Sequence, residues 1–194
     1  MSGLADLVLS HGANKPPTYL PTYEEFFGPH RGCSVRLLEL GIATGASLRV
    51  WRDYFPQGEV TGIDWELPEM DGERVAMYAG EQDDWDLLGK VGEERGPFDI
   101  IIDDCAHVGA VASSSFSCLF EEALRPGGLY CVEDWGTGYW PDWEDGVAWE
   151  PGHTAGMVGF VKGLVDTCGR YFMATSNIER VVITAGLAIV VKAP

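Results

Sequence analysis

Apolar residues along the chain gather into short, nearly continuous runs separated by stretches with helical spacing. Four runs, Val35 to Leu40, Glu59 to Ile63, Phe98 to Asp103 and Gly128 to Glu133, carry little polar interruption. That is the pattern of strands buried on both faces of a parallel sheet. A weaker run spans Val75 to Tyr78, and two more, Ile178 to Thr184 and Leu187 to Lys192, close the sequence. Between them, Ala46 to Tyr54, Asp84 to Gly92 and Ser113 to Leu124 predict helices; in the last, Phe116, Leu119, Phe120 and Leu124 recur along one helical face. The alternation predicts an α/β fold with a doubly wound, mostly parallel sheet and helices on both faces. Little more than Ala185 and Gly186 separates the last two runs, so they predict a C-terminal antiparallel hairpin at one edge.

Two regions stand outside the alternation. Residues 1–34 hold a short helical segment, Gly3 to Ser10, followed by a Pro- and Gly-rich stretch that reads as a loop. Residues 135–152 are rich in Trp, Gly, Asp and Pro and predict a long irregular loop; a further helix is expected over Met157 to Val165. Long loops in compact domains tend to be lids or binding surfaces, and Trp135, Trp140, Trp143 and Trp149 speak against plain disorder here. With 194 residues, the expectation is a single domain over 1–194, in which 1–34 forms a cap and 135–152 a substrate-side loop.

Charge narrows the partners. The formal net charge of −17 repels phosphate backbones and anionic lipid, which argues against nucleic acid and membrane. No apolar run nears the ~20 residues of a membrane span, and Met1 to Ser10 lacks the features of a secretory signal, so a cytoplasmic protein is expected. Cys33, Cys105, Cys118, Cys131 and Cys168 are scattered and odd in number, which fits neither a disulfide framework nor a zinc site.

The segment from Leu37 to Trp51 reads strand, glycine turn, helix, with Gly41 and Gly45 permitting a sharp turn and close approach of a ligand. Ligands of open parallel sheets bind beyond the C-terminal strand ends. The spacing is not that of the dinucleotide fingerprint. Glu39 closes the strand, and a carboxylate there suits the cationic amino end of S-adenosylmethionine but would repel a pyrophosphate. Asp64 ends the next strand, placed to accept from both ribose hydroxyls, and Glu81 and Gln82 follow the weak third strand, within reach of an adenine amine. With Gly41, Ser47, Trp65 and Asp103, these make the candidate donor-binding set.

A second constellation lies at Asp103, Asp104 and His107 and at Glu133 and Asp134, each group following an apolar run. Those two strands are expected to be neighbours about 5 Å apart, so Asp104, Glu133 and Asp134 converge. Converging carboxylates repel unless a cation neutralises them, and a hard divalent ion, Mg²⁺ by preference, resolves the conflict. His107 is positioned as a general base. His11, His30 and His153 have no such company and read as surface or loop histidines.

These residues together resemble the metal-dependent sugar O-methyltransferases of macrolide pathways, the macrocin and mycinamicin type. The resemblance runs through the segment before the first strand, the glycine loop, the stretch from Gly80 to Leu88, and above all the D-D-x-x-H and E-D elements. It implies a class I methyltransferase with a seven-stranded Rossmann-like sheet, Mg²⁺ on Asp104, Glu133 and Asp134, and His107 as the base. Larger members carry a further N-terminal domain for which no counterpart is expected here, and Cys105 and Ala106 stand where the family usually has Gly and Ser. The expected reaction is transfer of the methyl of S-adenosylmethionine to a sugar hydroxyl of a glycoside or saccharide, with Tyr139 and Trp140 offering flat faces to the substrate. A catechol-type enzyme and a non-catalytic S-adenosylmethionine-binding module are the alternatives, and a nicotinamide-dependent oxidoreductase is disfavoured by the glycine pattern. The acceptor, the identity of the divalent ion and self-association into a homo-oligomer stay open at this stage.

Overall fold

A computed structural model describes residues 2–70, 72–174 and 176–194. Its sheet has seven strands: β1 (Arg36–Leu40), β2 (Glu59–Asp64), β3 (Val75–Ala79), β4 (Phe98–Asp103), β5 (Leu124–Val132), β6 (Ile178–Ile183) and β7 (Ala188–Lys192). They lie in the order β3-β2-β1-β4-β5-β7-β6, with β7 antiparallel to both β5 and β6 and every other pairing parallel. The order reverses between β1 and β4, so the loops after these two strands diverge and leave a crevice at the C-terminal edge.

The pleat divides the core in two. On one face, Leu37, Ile100, Ile102, Leu129 and Cys131 pack against α1 (Leu4–His11), α2 (Leu20–Phe27) and α3 (Ala46–Tyr54). On the other, Leu38, Leu40, Ile101, Tyr130 and Val132 pack against α4 (Trp85–Arg95), α5 (Gly109–Glu122) and α6 (Gly156–Gly169). Successive side chains of a strand point to opposite faces. The same parity therefore decides where polar residues at the strand ends go: Glu39, Asp104 and Glu133 fall on the face of α1 to α3, and Asp103 on the opposite one.

The N-terminal stretch is more ordered than its composition predicts. α2 forms where a loop is expected, because Pro21 occupies the first helical turn, where its missing N–H is not needed. Tyr23 and Phe27, four residues apart, pack their rings against Trp51, with centroids at 5.4 and 5.6 Å. β5 starts at Leu124, ahead of the expected Gly128, and contains an excursion: Phe98 pairs with Leu124 whereas Ile100 pairs with Leu129. α5 starts at Gly109 and α6 runs on to Gly169, both longer than their apolar spacing suggests. Residues 135–152 hold one short 3₁₀ turn, Trp135–Tyr139, and otherwise turns and irregular backbone. Among the described residues no helix is long and apolar enough to cross a membrane, and all five cysteines are free thiols.

Candidate active site

The loops after β1, β2, β4 and β5 enclose a cleft of about 690 Å³. Gly41, Ser47, Asp64, Trp65, Glu81, Asp104, His107 and Asp134 all line it. The loop after β3 contributes Glu81, and the N-terminal segment adds a further wall through Gly12, Asn14 and Lys15. Three non-glycine residues in these loops hold positive φ: Ala43 (42°), His107 (50°) and Asp134 (52°). Such conformations cost of order 1 kcal/mol or more each and persist where the surroundings enforce them, commonly at functional sites.

On the donor side, Asp64 is built into the loop that it faces. Its Oδ2 accepts from the backbone N–H of Ile42 and of Ala43, both at 2.8 Å, and its Oδ1 has only a 3.4 Å contact from Glu66 N. Trp65 stands 77% exposed at the rim.

Three members of the expected donor-binding set do not reach the cleft. Glu39 is fully buried: Oε1 accepts from Lys15 Nζ (3.0 Å) and Trp51 Nε1 (3.1 Å), and Oε2 from Ser47 Oγ (2.6 Å). Strand parity turns it under the glycine loop, which it supports from below through Ser47. Gln82 points inward beside Glu81 and donates to Asp103 Oδ1 at 2.6 Å, while its Oε1 accepts from Ala106 N at 3.0 Å. Asp103 faces the core of α4 to α6, in contact with Gln82, Ser115 and Tyr130. Burial pushes its carboxyl up to about 7 against the hydrogen bond from Ser115. Gln82 and Asp103 thus brace the loop that carries Asp104 to His107.

The carboxylate group also differs from the expected set. One ligand atom each from Asp104, His107 and Asp134 lie within 4.8 Å of one another. His107 Nε2 is 3.7 Å from both Asp104 Oδ1 and Asp134 Oδ2. Glu133 is not in this trio. It is 1% exposed, turned to the N-terminal face, where its Oε1 accepts from Lys15 (2.7 Å) and Tyr23 Oη (2.6 Å). Burial pushes its carboxyl upward, and the charge of Lys15 pulls the other way. Two carboxylates and an imidazole, open to a cleft, form a donor set that suits a hard or borderline divalent cation.

The N-terminal segment supplies partners that the motif reading misses. Lys15 Nζ sits 3.0, 2.6 and 2.7 Å from Glu39 Oε1, Asp104 Oδ2 and Glu133 Oε1. Burial alone would lower its pKa, but the three carboxylates outweigh it and hold the ammonium charged. Tyr19 Oη donates to Asp134 Oδ1 at 2.5 Å, and burial together with that bond raises the phenol well above its ordinary value. Lys15, Tyr19 and Tyr23 recur every fourth residue, a stripe visible in the sequence but masked by the prolines around it.

The Trp-rich loop holds the other flank. Trp143 Nε1 donates to the carbonyl of His107 at 2.9 Å, and Asp145 Oδ2 accepts from Gly109 N at 2.6 Å, at the start of α5. Tyr139 turns away from the cleft to pack on Trp135 and His153, with centroids at 6.2 and 5.7 Å. His153 lies in irregular backbone, as a loop histidine would, and is itself buried at 5% exposure. Trp140 is 57% exposed and lines a second cavity of about 260 Å³ with Tyr19, Thr137 and Asp134, so Asp134 borders both spaces.

No family model matches the sequence. Curated relatives do: the chain is 37% identical over 157 residues to the mycinamicin VI 2''-O-methyltransferase of Micromonospora griseorubida, across 76% of this chain and 39% of that protein. It is 40% identical over 174 residues to the 8-demethyl-8-alpha-L-rhamnosyl tetracenomycin-C 2'-O-methyltransferase of Streptomyces olivaceus, across 84% of this chain and 45% of that one. Among solved structures it is similar to the MycE methyltransferase of the mycinamycin biosynthetic pathway, in complex with Mg, SAH and mycinamycin VI. The TM-score is 0.89 at 32% identity, over 99% of this chain and 55% of that one. The chain thus spans between 39% and 55% of the length of these relatives.

Proposed function

The chain belongs to the class I S-adenosylmethionine-dependent methyltransferases of the macrocin and mycinamicin type, and from that premise we propose that it methylates a sugar hydroxyl of a glycosylated small molecule, in the cytoplasm and with the help of Mg²⁺. The observation that carries this reading is the convergence of Asp104, His107 and Asp134 on one side of a cleft whose other side is the glycine loop.

In the cleft, Asp64 and Glu81 would hold the donor by its ribose and its base, with Trp65 at the rim. Glu39 acts from below through Ser47, which lines the cleft while donating to the buried carboxylate. The acceptor enters from the side of the second cavity, where the exposed face of Trp140 offers a flat surface to a sugar ring and Asp134 leads into the cleft. This gives Trp140 the stacking role and leaves Tyr139 to hold the loop.

Asp104 and Asp134 would supply oxygen ligands for the cation, with His107 beside them and Glu133 behind Asp104. Bound there, a divalent ion supplies positive charge that lowers the pKa of a neighbouring hydroxyl. His107 Nε2 faces the same point and accepts the proton as the acceptor oxygen attacks the methyl carbon and the sulfonium leaves as a thioether. Tyr19, by donating to Asp134 Oδ1, fixes the carboxylate with Oδ2 toward His107.

The test is methyl transfer from tritiated S-adenosylmethionine to a panel of glycosides and catechols, with EDTA and then with excess Mg²⁺. Incorporation into a glycoside, abolished by EDTA and restored by Mg²⁺, is expected. Turnover of catechols alone, or turnover indifferent to chelation, would overturn it.

A further inference from the structure

The turn between β6 and β7 belongs to neither strand and does not line the donor cleft, yet it reaches the site. Ala185 and Gly186 line the second cavity, about 260 Å³, with Tyr19, Asp134, Thr137 and Trp140. The turn is closed on itself: Thr184 donates from its backbone N–H (2.8 Å) and from Oγ1 (3.1 Å) to the carbonyl of Leu187, a fully buried residue. It is also tied to the loop after β5. There Trp135 donates from Nε1 to the carbonyl of Thr184 at 3.1 Å and from its backbone N–H to that of Gly186 at 3.3 Å. The wall that the turn gives the cavity is held from both sides.

Within that wall, Gly186 cannot change size. Its φ is +89°, and a Cβ there would stand 2.2 Å from Tyr19 Oη, the hydroxyl that donates to Asp134. Ala185 is the opposite case. It is exposed, its side chain makes none of the bonds that hold the turn, and it faces the same space. The width of the cavity on this side is therefore set at residue 185.

We propose that Ala185 is a specificity-determining residue, which limits the size of the sugar ring that can enter the second cavity and lie against Trp140. The inference rests on the reading that the acceptor is a glycoside and enters by that cavity. Sites for drug-sized ligands begin at about 300 Å³, so this smaller space takes one sugar ring and leaves the aglycone outside. A wall rejects an oversized ring by clash, which weakens acceptor binding without disturbing the reacting groups. Residue 185 thus acts on acceptor affinity, apart from Asp64 on the donor side and His107 at the point of proton transfer.

The experiment measures methyl transfer from tritiated S-adenosylmethionine to the methyl and 4-nitrophenyl glycosides of rhamnose, fucose, glucose and galactose. It compares the parent chain with Ala185→Val, Ala185→Leu and Ala185→Phe. The acceptor KM rises with each step in side-chain size, about tenfold by Ala185→Leu. The rise is the same for both aglycones of one sugar, because the ring and not the aglycone meets residue 185. The loss lies in KM more than in kcat, and S-adenosylhomocysteine affinity by calorimetry stays at the parent value. Ile183→Ala, on the same hairpin but outside the cavity, keeps the parent KM. A KM indifferent to the size of residue 185, a penalty that follows the aglycone, or a loss confined to kcat overturns the proposal. If the phenylalanine chain does not accumulate folded, the valine and leucine steps decide it. A parent chain that methylates none of these glycosides overturns the sugar reading itself and takes the proposal with it. One that methylates them all alike whatever stands at 185 overturns the proposal alone.

Discussion

A Cβ atom on Gly41 would stand 2.1 Å from the carbonyl oxygen of Asp104. The glycine loop after β1 and the loop that carries Asp104 to His107 are therefore in backbone contact, and Gly41 holds φ at +81° to permit it. Gly41→Ala combines a left-handed conformation, about 1–2 kcal/mol, with overpacking against backbone, typically another 1–3 kcal/mol. We expect a lower melting temperature and loss of both S-adenosylhomocysteine and Mn²⁺ binding. Gly12→Ala is the control: its φ is +64° but nothing lies within 4 Å of the added carbon, so only the conformational cost applies.

How much of this was legible depends on what sets each position. The strands and the order of the sheet follow from runs such as Phe98 to Asp103, because burial on both faces leaves an unbroken apolar signature. That Asp64, Asp104, His107 and Asp134 line the cleft is legible because strand ends face the crevice. Position along a strand by itself sends Glu39, Asp103 and Glu133 toward the cleft, whereas the side-chain period of two buries each of them. Lys15 and Tyr19 lay outside the expectation for a different reason. Their partners are 89 and 115 residues away in sequence, and only tertiary packing of α2 on α3 brings the segment there.

His107→Ala removes the group placed to take the acceptor proton. Loss of a general base typically costs about 10²–10⁴ in rate. The expected result is that fall in kcat, with S-adenosylhomocysteine affinity by calorimetry within about threefold of the parent chain, because no donor-binding contact depends on the imidazole. Equal losses in kcat and donor affinity would mean that the substitution collapses the loop instead.

Asp103 gives a pH-dependent stability whose sign is fixed. Its folded pKa, about 7, lies above the ordinary 3.8. The native state thus holds the proton more tightly than the unfolded chain, and stability from this group falls as pH rises between about 4 and 7, then levels. Asp103→Asn removes the charge and keeps an acceptor for Gln82. Denaturant unfolding in EDTA at about pH 5 and about pH 8 should show the parent losing stability relative to the variant, on the order of a few kcal/mol. Parallel pH profiles for the two chains would contradict the raised pKa.

Asp145 reaches the chemistry only through backbone. Its Oδ2 accepts from Gly109 N, two residues beyond His107, while Trp143 of the same loop donates to the carbonyl of His107. The left-handed φ of His107, +50°, needs such restraint, since the residue is not glycine. Asp145→Ala removes an acceptor at the start of α5, for about 1–2 kcal/mol of stability. It also lets His107 relax toward ordinary backbone, moving its Nε2 off the point shared with Asp104 and Asp134. We expect kcat to fall about tenfold with little change in donor affinity. Asp145→Asn retains an amide oxygen for Gly109 N, so it should restore most of both losses. That rescue separates the hydrogen bond from the charge: if the asparagine variant is as slow as the alanine one, the carboxylate acts on His107 by charge and not by holding the turn.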